Sequence, residues 1–238
     1  MKDLSSWKEK FEVCVYAKKL LDKLEYLNTK VKNPVDIEEV KKGIYYARKY
    51  HGSQMRQSGD PYYSHPIEVA YLLAHYAALK LSNFFRTDLL IAALLHDTLE
   101  DTSLKKEEIE VIFNKNVAHY VESLTRVKID TKISAAETVI LLHKQKNDGV
   151  LLIKLCDRLH NMQTINAKNP EKIKKIKEET INYFILLAGY LGIPQIEYEL
   201  LELCSITQKR FKNSERRGAI KDNYQPLFQA FQNDLYSI

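Results

Sequence analysis

Residues that cross-link or interrupt a chain are scarce in this sequence of 238 residues. Its three cysteines, Cys14, Cys156 and Cys204, are an odd number and lie far apart, which argues against a disulfide framework and a cysteine-based zinc site. We interpret them as buried reduced thiols. The 7 glycines and 6 prolines are few beside a hydrophobic fraction of 45%, which excludes disordered, collagen-like and low-complexity chains. The composition therefore predicts a compact globular protein.

Long hydrophobic runs are missing as well. The longest mostly apolar stretch, at 183–193, is well short of the roughly 20 residues that a membrane-spanning helix needs. The first ten residues are polar and charged, and no apolar segment follows them, so a secretory signal is not expected. We therefore expect a cytoplasmic protein that does not associate with membranes.

Charge of one sign is only slightly in excess, with 36 Lys and Arg against 31 Asp and Glu. This balance suits an anionic ligand but lacks the clustering of a nucleic-acid-binding surface. The densest basic run, at 168–177, contains Asn169 as a helix N-cap and Pro170 as the first helical residue. We interpret that run as the solvated face of a helix, and no nucleic-acid partner is expected.

Hydrophobic residues recur with helical spacing along most of the chain, which predicts an all-α fold. Asp36 with Glu39 forms a capping box for a helix through Tyr50, and the segment 52–66 is rich in Gly, Pro and Ser, which predicts a loop. The other helices are predicted from Pro66 to about Leu81, from Asp88 to about Glu100 with Thr87 as cap, after Ser103, from the capping box of Ser134 and Glu137 to about Asp148, across 150–162, and from Pro194 to about Cys204.

Four polar residues follow the apolar segment 89–95: His96, Asp97, Glu100 and Asp101. On a continuous helix, residues four apart share a face, so His96 would lie over Glu100 and Asp97 over Asp101. Carboxylates next to an apolar core need a cation or a wet cleft. The alternative is an ordinary exposed helix end, which acidic residues disfavour because they oppose the helix dipole.

Polar residues also interrupt a second apolar helix, where Asp157, Asn161 and Thr164 share one face. Asp157 can supply a further carboxylate ligand, and Asn161 and Thr164 can donate hydrogen bonds to a group bound to the metal. In the loop, His65 stands at the entrance to a helix, and Arg56 can stack on a base or pair with phosphate. Taken alone, either residue would be an ordinary surface group.

Three strings of the sequence combine these residues: HGSQMRQSGDPYYSHP from His51, LHDTLEDT from Leu95 and KLCDRLHNM from Lys154. In order and character they resemble the HD-type alarmone hydrolase domain of the RelA/SpoT family, including its small stand-alone members. The resemblance spans roughly residues 37–204. It implies an all-helical HD-domain bundle with one metal ion, usually manganese, that removes the 3′-pyrophosphate of guanosine tetraphosphate or pentaphosphate (ppGpp or pppGpp) to give GDP or GTP.

The resemblance also implies a role for each matching residue. The metal ligands would be His65, His96, Asp97 and Asp157. The acidic pair that handles the attacking water would be Glu100 and Asp101. Arg56 would pack against the base, and the other nucleotide contacts would be Asn161, Thr164 and Tyr183. We interpret the remaining histidines as loop-supporting for His51, as core for His160, and as surface or packing residues for His75, His119 and His143.

The predicted organisation is a single phosphohydrolase domain at 33–205, with an N-terminal helical extension at 1–32 and a C-terminal tail with a short helix at 206–238. Because little sequence follows Cys204, we expect a hydrolase without the synthetase domain of the long enzymes. Gln57 stands where the family usually has lysine, which leaves open a related activity such as removal of the 2′-phosphate of NADPH. A non-catalytic nucleotide sensor is the third alternative. The expected partner is a small nucleotide, and the oligomeric state is left open.

Overall fold

The computed structural model describes residues 6–125, 127–128, 131–132 and 135–212, and helices make up nearly all of its regular structure. The α-helices are α1 (Trp7–Lys10), α2 (Val15–Asn28), α3 (Ile37–His51), α4 (Ser64–Lys80), α5 (Thr87–Leu95), α6 (Thr98–Asp101), α7 (Lys106–Ile112), α8 (Lys115–Leu124), α9 (Ala135–Lys144), α10 (Asp148–Gln163), α11 (Pro170–Glu179), α12 (Ile185–Tyr190) and α13 (Pro194–Lys212). The predicted all-α class is confirmed. Within the described ranges, strands are limited to the short antiparallel pair β1 (Val127–Lys128) and β2 (Thr131–Lys132).

Helix α5 is the centre of the core. Every residue from Leu89 to Leu95 is at most 2% exposed, because α3, α4 and α8 all pack around this helix. Gly43 lets α3 approach it closely, since a Cβ at that position would lie 2.9 Å from Leu94 Cδ1. The apolar helix is thereby fixed on all sides, and the residues at its C-terminal end are held in place.

The N-terminal helix α2 belongs to the same core. Its leucines at positions 20, 21, 24 and 27 are buried, and the helix packs against α4. The Asn28 side chain closes the following turn by bonding both the N–H and the C=O of Val35, each at 2.9 Å. Residues 15–28 therefore help to support α4, the helix that begins at the loop histidine. None of the described helices is both long and apolar enough to cross a membrane.

Two helix starts differ from the prediction. The Asp36 cap of α3 is present, with its carboxylate accepting from the N–H groups of Glu38 and Glu39. Helix α4, however, begins at Ser64 and not at Pro66, which fits in the first turn because the N–H groups there have no helical partner. Thr87 is inside α5, and its Oγ1 instead accepts the Asp36 N–H at 2.9 Å, which ties the starts of α3 and α5 together.

The helix predicted through Glu100 is interrupted. Helix α5 ends at Leu95, and the short α6 begins only at Thr98. At the other end of the chain, α13 continues to Lys212, beyond the predicted end near Cys204. The capping role predicted for Ser134 and most of the predicted tail, residues 213–238, lie outside the described residues.

Candidate metal centre

The break between α5 and α6 sets the orientation of His96. At the end of a helix the last carbonyls lack intrahelical partners. Here His96 Nδ1 lies 2.8 Å from the Ala93 carbonyl oxygen, and Thr98 Oγ1 donates to the Leu95 carbonyl at 2.6 Å. Because a carbonyl only accepts, the proton of neutral His96 lies on Nδ1. Its Nε2 is therefore left as a lone-pair donor for a metal.

Three helices bring ligand atoms to one point. His65 comes from the first turn of α4, His96 from the end of α5 and Asp157 from the middle of α10. One ligand atom from each lies within 4.8 Å of the other two. His65 Nε2 is 3.1 Å from Asp157 Oδ1, and Asn161 Nδ2 donates to that same oxygen at 2.6 Å.

Asp97 completes the predicted ligand set from the other side. Its Oδ2 is 3.1 Å from His96 Nε2 and 3.7 Å from His65 Nε2. The structure thus brings together all four side chains predicted as ligands. His65, His96 and Asp157 form the tightest group, and Asp97 lies at its edge with about a fifth of its side chain exposed.

The charges of this cluster suit a cation. Burial alone would raise the pKa of Asp97 and of Asp157, but the imidazoles of His96 and His65 outweigh it, so both pKa values lie well below the usual range. Burial also lowers the pKa of His65, which favours its neutral form. Two carboxylates and two imidazoles therefore face one another in a buried space.

The donor set fits a divalent metal ion. His96 Nε2 is buried and has no hydrogen-bond partner among the residues that the structure describes, although Asp97 Oδ2 lies within ion-pair distance of it. A buried acceptor of this kind is costly unless something binds it. Imidazole nitrogens with carboxylate oxygens are ligands that manganese, iron and zinc accept. The arrangement therefore indicates a divalent metal site.

Tyr62 connects the cluster to the acidic pair and was not among the predicted site residues. Its hydroxyl lies 2.9 Å from Asp97 Oδ2 and 3.0 Å from Asp101 Oδ2. Burial and the two carboxylates raise the pKa of Tyr62, so it remains a protonated donor. The position of Tyr62 three residues before His65 on a loop leading into a helix was the available signal.

A small network supports Tyr62 from behind. The ring of His51 stacks on Tyr62 with centroids 4.6 Å apart, and His51 Nδ1 lies 2.8 Å from Gln54 Oε1. Gln54 Nε2 in turn donates to the Asp101 carbonyl at 2.8 Å. These contacts join the end of α3 to α6, as expected of a loop-supporting His51.

A cavity of about 830 Å³ opens over the cluster. Both members of the acidic pair, Glu100 and Asp101, line it. Three predicted nucleotide contacts, Arg56, Asn161 and Thr164, line it as well. Arg56 Nη2 donates to Thr164 Oγ1 at 3.2 Å, which holds the guanidinium beside α10. The cavity therefore connects three of the candidate metal ligands, His65, Asp97 and Asp157, to the residue predicted to pack against a base.

One wall of this cavity is basic, and this wall was not predicted from the sequence. Lys168, Lys172 and Lys175, from the run interpreted as a solvated face, all line the cavity. Burial and the nearby cations of Lys172 and Arg56 lower the pKa of Lys168. Arg158 anchors this wall, because its guanidinium donates to Glu179 Oε2 at 2.7 Å and stacks on the Phe184 ring.

The remaining residues singled out in the sequence are not among the described residues that line the cavity. Tyr183 is half-buried in a π-helical turn, Thr180–Phe184, and is not one of the described residues that line the cavity. His119 is exposed, whereas His75 and His143 pack edge-on against tyrosine rings. His160, interpreted as core, is buried, but its Nδ1 lies 2.7 Å from Nδ1 of the metal-ligand candidate His65.

Comparison with known families identifies the domain. The sequence model of the HD domain matches residues 43–194, well over half of the chain. The chain belongs to the HD domain family. This HD domain is 37% identical over 212 residues to the GTP pyrophosphokinase rsh of Brucella ovis, with 85% of this chain and 27% of the relative covered. Against the guanosine-3′,5′-bis(diphosphate) 3′-pyrophosphohydrolase of Aquifex aeolicus the identity is 40% over 170 residues, with 70% of this chain and 23% of the relative covered.

These relatives confirm the resemblance predicted from the three strings. The chain spans about a quarter of the length of the curated relatives it matches. A solved structure described as a metazoan ortholog of SpoT that hydrolyzes ppGpp has a similar fold, with a TM-score of 0.53 and 23% identity. The match covers 71% of this chain and 95% of that structure, so the HD-domain fold extends over most of both molecules.

Proposed function

We propose that this HD domain removes the 3′-pyrophosphate of guanosine tetraphosphate or pentaphosphate, giving GDP or GTP and pyrophosphate. The observation that carries the proposal is the joining of a buried His/His/Asp cluster, an acidic pair and a basic wall around one cavity. A nucleotide with phosphates at both ends of its ribose matches a cavity with an ion site at one side and lysines at another. The name of the Aquifex aeolicus relative supports the same reaction.

We assign the ion, manganese, to His65, His96, Asp97 and Asp157. A divalent ion held by these residues would supply Lewis-acid polarisation of a phosphate oxygen and would lower the pKa of a water toward neutrality. The carboxylates of Glu100 and Asp101 line the same cavity, and they would orient the water and accept its proton. The hydroxyl of Tyr62 holds the Asp101 carboxylate at 3.0 Å, which limits its rotation.

The far side of the cavity would bind the nucleoside and its 5′-phosphates. Arg56 is assigned to the base, because a guanidinium plane stacks on an aromatic ring. Asn161, in the last turn of α10, and Thr164, directly after it, line the cavity toward Arg56 and would offer hydrogen bonds to the ribose or to a phosphate. The lysines at 168, 172 and 175 supply positive charge for the 5′-phosphates. Tyr183 remains a predicted contact without support from the cavity lining.

Substrate profiling tests the proposal directly. Manganese-loaded protein is incubated in parallel with ppGpp, NADPH, GTP and ATP, and the products are identified by ion-exchange chromatography and mass spectrometry. We expect GDP and pyrophosphate from ppGpp, no release from GTP or ATP, and no product with Asp157→Ala. Stable ppGpp in the presence of metal-loaded protein would refute the proposal.

A second candidate, removal of the 2′-phosphate of NADPH, is favoured by one residue. Gln57 lines the cavity next to Arg56, where the family usually carries a lysine. A neutral amide lowers the positive charge available to a second diphosphate. Release of inorganic phosphate from NADPH with ppGpp left intact would establish this alternative, and Gln57→Lys should then shift the preference toward ppGpp.

A further inference from the structure

The two imidazoles of the metal cluster are supported by different kinds of partner. His96 Nδ1 faces a main-chain carbonyl, which only accepts, so neutral His96 carries its proton on Nδ1. His65 Nδ1 instead faces another imidazole nitrogen, Nδ1 of His160, at 2.7 Å. An imidazole nitrogen either donates or accepts, so the proton of His65 is placed by whichever role His160 takes.

His160 is built into the same helix as the ligand Asp157. It follows Asp157 by three residues on α10 and is only 9% exposed. Its ring lies nearly parallel to that of His65, with centroids 4.9 Å apart and planes 21° apart. Its main-chain carbonyl accepts from Thr164 Oγ1 at 2.9 Å, so the local helical turn is fixed as well.

Only one proton arrangement lets His65 bind a metal through the nitrogen that faces the cluster. His65 Nε2 lies 3.1 Å from Asp157 Oδ1, so a metal there needs the Nε2 lone pair and a proton on Nδ1. That proton must be donated to His160 Nδ1, which then carries its own proton on Nε2. Without a metal the opposite arrangement is favourable, because His65 Nε2–H can donate to the Asp157 carboxylate while His160 donates to His65.

We propose that His160 is a positioning residue that accepts the Nδ1–H of His65 when a metal is bound, and so holds His65 in the ligating tautomer. An imidazole suits this position because it also donates in the metal-free protein. A side chain that neither donates nor accepts would leave a buried nitrogen of His65 unpaired in both states. The inference concerns metal binding alone and does not depend on the identity of the nucleotide.

Two substitutions separate the hydrogen bond from the packing. His160→Asn keeps an amide that can accept or donate near the Nδ1 position, whereas His160→Leu keeps bulk without a polar atom. Calorimetric titration of the metal-free proteins with Mn²⁺ should show about 10- to 100-fold weaker binding for the leucine variant. The Mn²⁺ affinity of the asparagine variant should remain within about threefold of the wild type, because its amide oxygen can still accept the His65 Nδ1–H. His119→Leu, on an exposed helix face, is the control for loss of a histidine.

The tautomers themselves can be observed. In long-range ¹H–¹⁵N spectra of the protein loaded with diamagnetic Zn²⁺, we expect His65 protonated at Nδ1 and His160 protonated at Nε2. The His65 Nδ1–H resonance should disappear or shift strongly in His160→Asn, which assigns it. A leucine variant that binds Mn²⁺ like the wild type, an asparagine variant as weak as the leucine one, or a zinc-loaded His65 protonated at Nε2 would each overturn the proposal. Because no substrate is used, these outcomes are independent of whether ppGpp is hydrolysed.

Discussion

The two sides of the cavity are built in different ways. On the metal side, His65, His96 and Asp157 are nearly fully buried, and hydrogen bonds from neighbouring groups fix their orientation. On the basic side, Lys172 and Lys175 are exposed, and they act through charge on a helix anchored by Arg158. A buried, hydrogen-bonded group tolerates little change, whereas an exposed charge is screened by water and salt. Changes on the first side should therefore abolish function, and changes on the second should adjust affinity.

The largest effect is expected from Asp157→Ala. This change removes a carboxylate from the tightest part of the cluster and leaves His65 Nε2 without the anionic oxygen that lies 3.1 Å from it. Metal retention and ppGpp turnover should both be lost, as measured by elemental analysis after gel filtration and by GDP release. Asp148→Ala, on the same helix but outside the cavity lining, should retain the metal. Normal metal content in the Asp157 variant would remove this residue from the ligand set.

A smaller but still large effect is expected for the acidic pair. Glu100→Gln and Asp101→Asn keep the shape of each side chain and remove its basic oxygen. At least one of them should lower kcat by about 10²-fold or more, because proton transfer from the water is impaired. Metal content should be unchanged, and Glu107→Gln, an exposed residue on α7, should be silent. If either amide variant loses its metal as Asp157→Ala does, that residue is a ligand and not a base.

Arg56 should affect binding more than chemistry. Arg56→Ala should raise KM by about 10-fold with a lesser change in kcat, the pattern of lost uniform binding. Arg56→Lys keeps the charge but not the plane, so it should recover little of the loss if stacking on the base is the main contribution. Full recovery by lysine would show that Arg56 pairs with a phosphate instead.

The smallest effects are expected on the basic wall. Lys172→Gln and Lys175→Gln should each raise KM a few-fold, and the difference from wild type should shrink as salt is added. Lys174→Gln is the matched control, since Lys174 lies on the same helix, is exposed and does not line the cavity. Equal effects of all three substitutions would mean that the wall acts only through net charge.

The residues of the metal side were predicted from the sequence, because three sequence strings resemble a known family and that resemblance implies the four ligands. The break at His96 and Asp97 was not, since periodicity continues across it and the capping of α5 by His96 and Thr98 depends on side-chain hydrogen bonds. A continuous helix would have stacked His96 over Glu100 and Asp97 over Asp101. The interruption instead starts a new helix at Thr98.

The basic side was poorly predictable for a different reason. The sequence predicts a helix that begins at Pro170 within the run 168–177, but not which of its faces lines a cavity. That depends on how α11 is held against α10 by Arg158 and Glu179, two residues far apart in sequence. Likewise, nothing in the spacing placed His160 against His65, because their contact links positions 95 residues apart.

Helix α10 also sets the distance between the two ends of the cavity. It carries Asp157, one of the candidate metal ligands, and it ends at Gln163, directly before Thr164, which contacts Arg56. At a rise of 1.5 Å per residue Asp157 and Thr164 are separated by roughly 10 Å along the axis. An α-helix is stiff over that length, so the distance from the proposed ion site to the Arg56 side chain is set before any ligand arrives. The protein should therefore discriminate between nucleotides by length. A nucleotide with a shorter or longer span between phosphate and base could not reach the ion site and Arg56 at the same time.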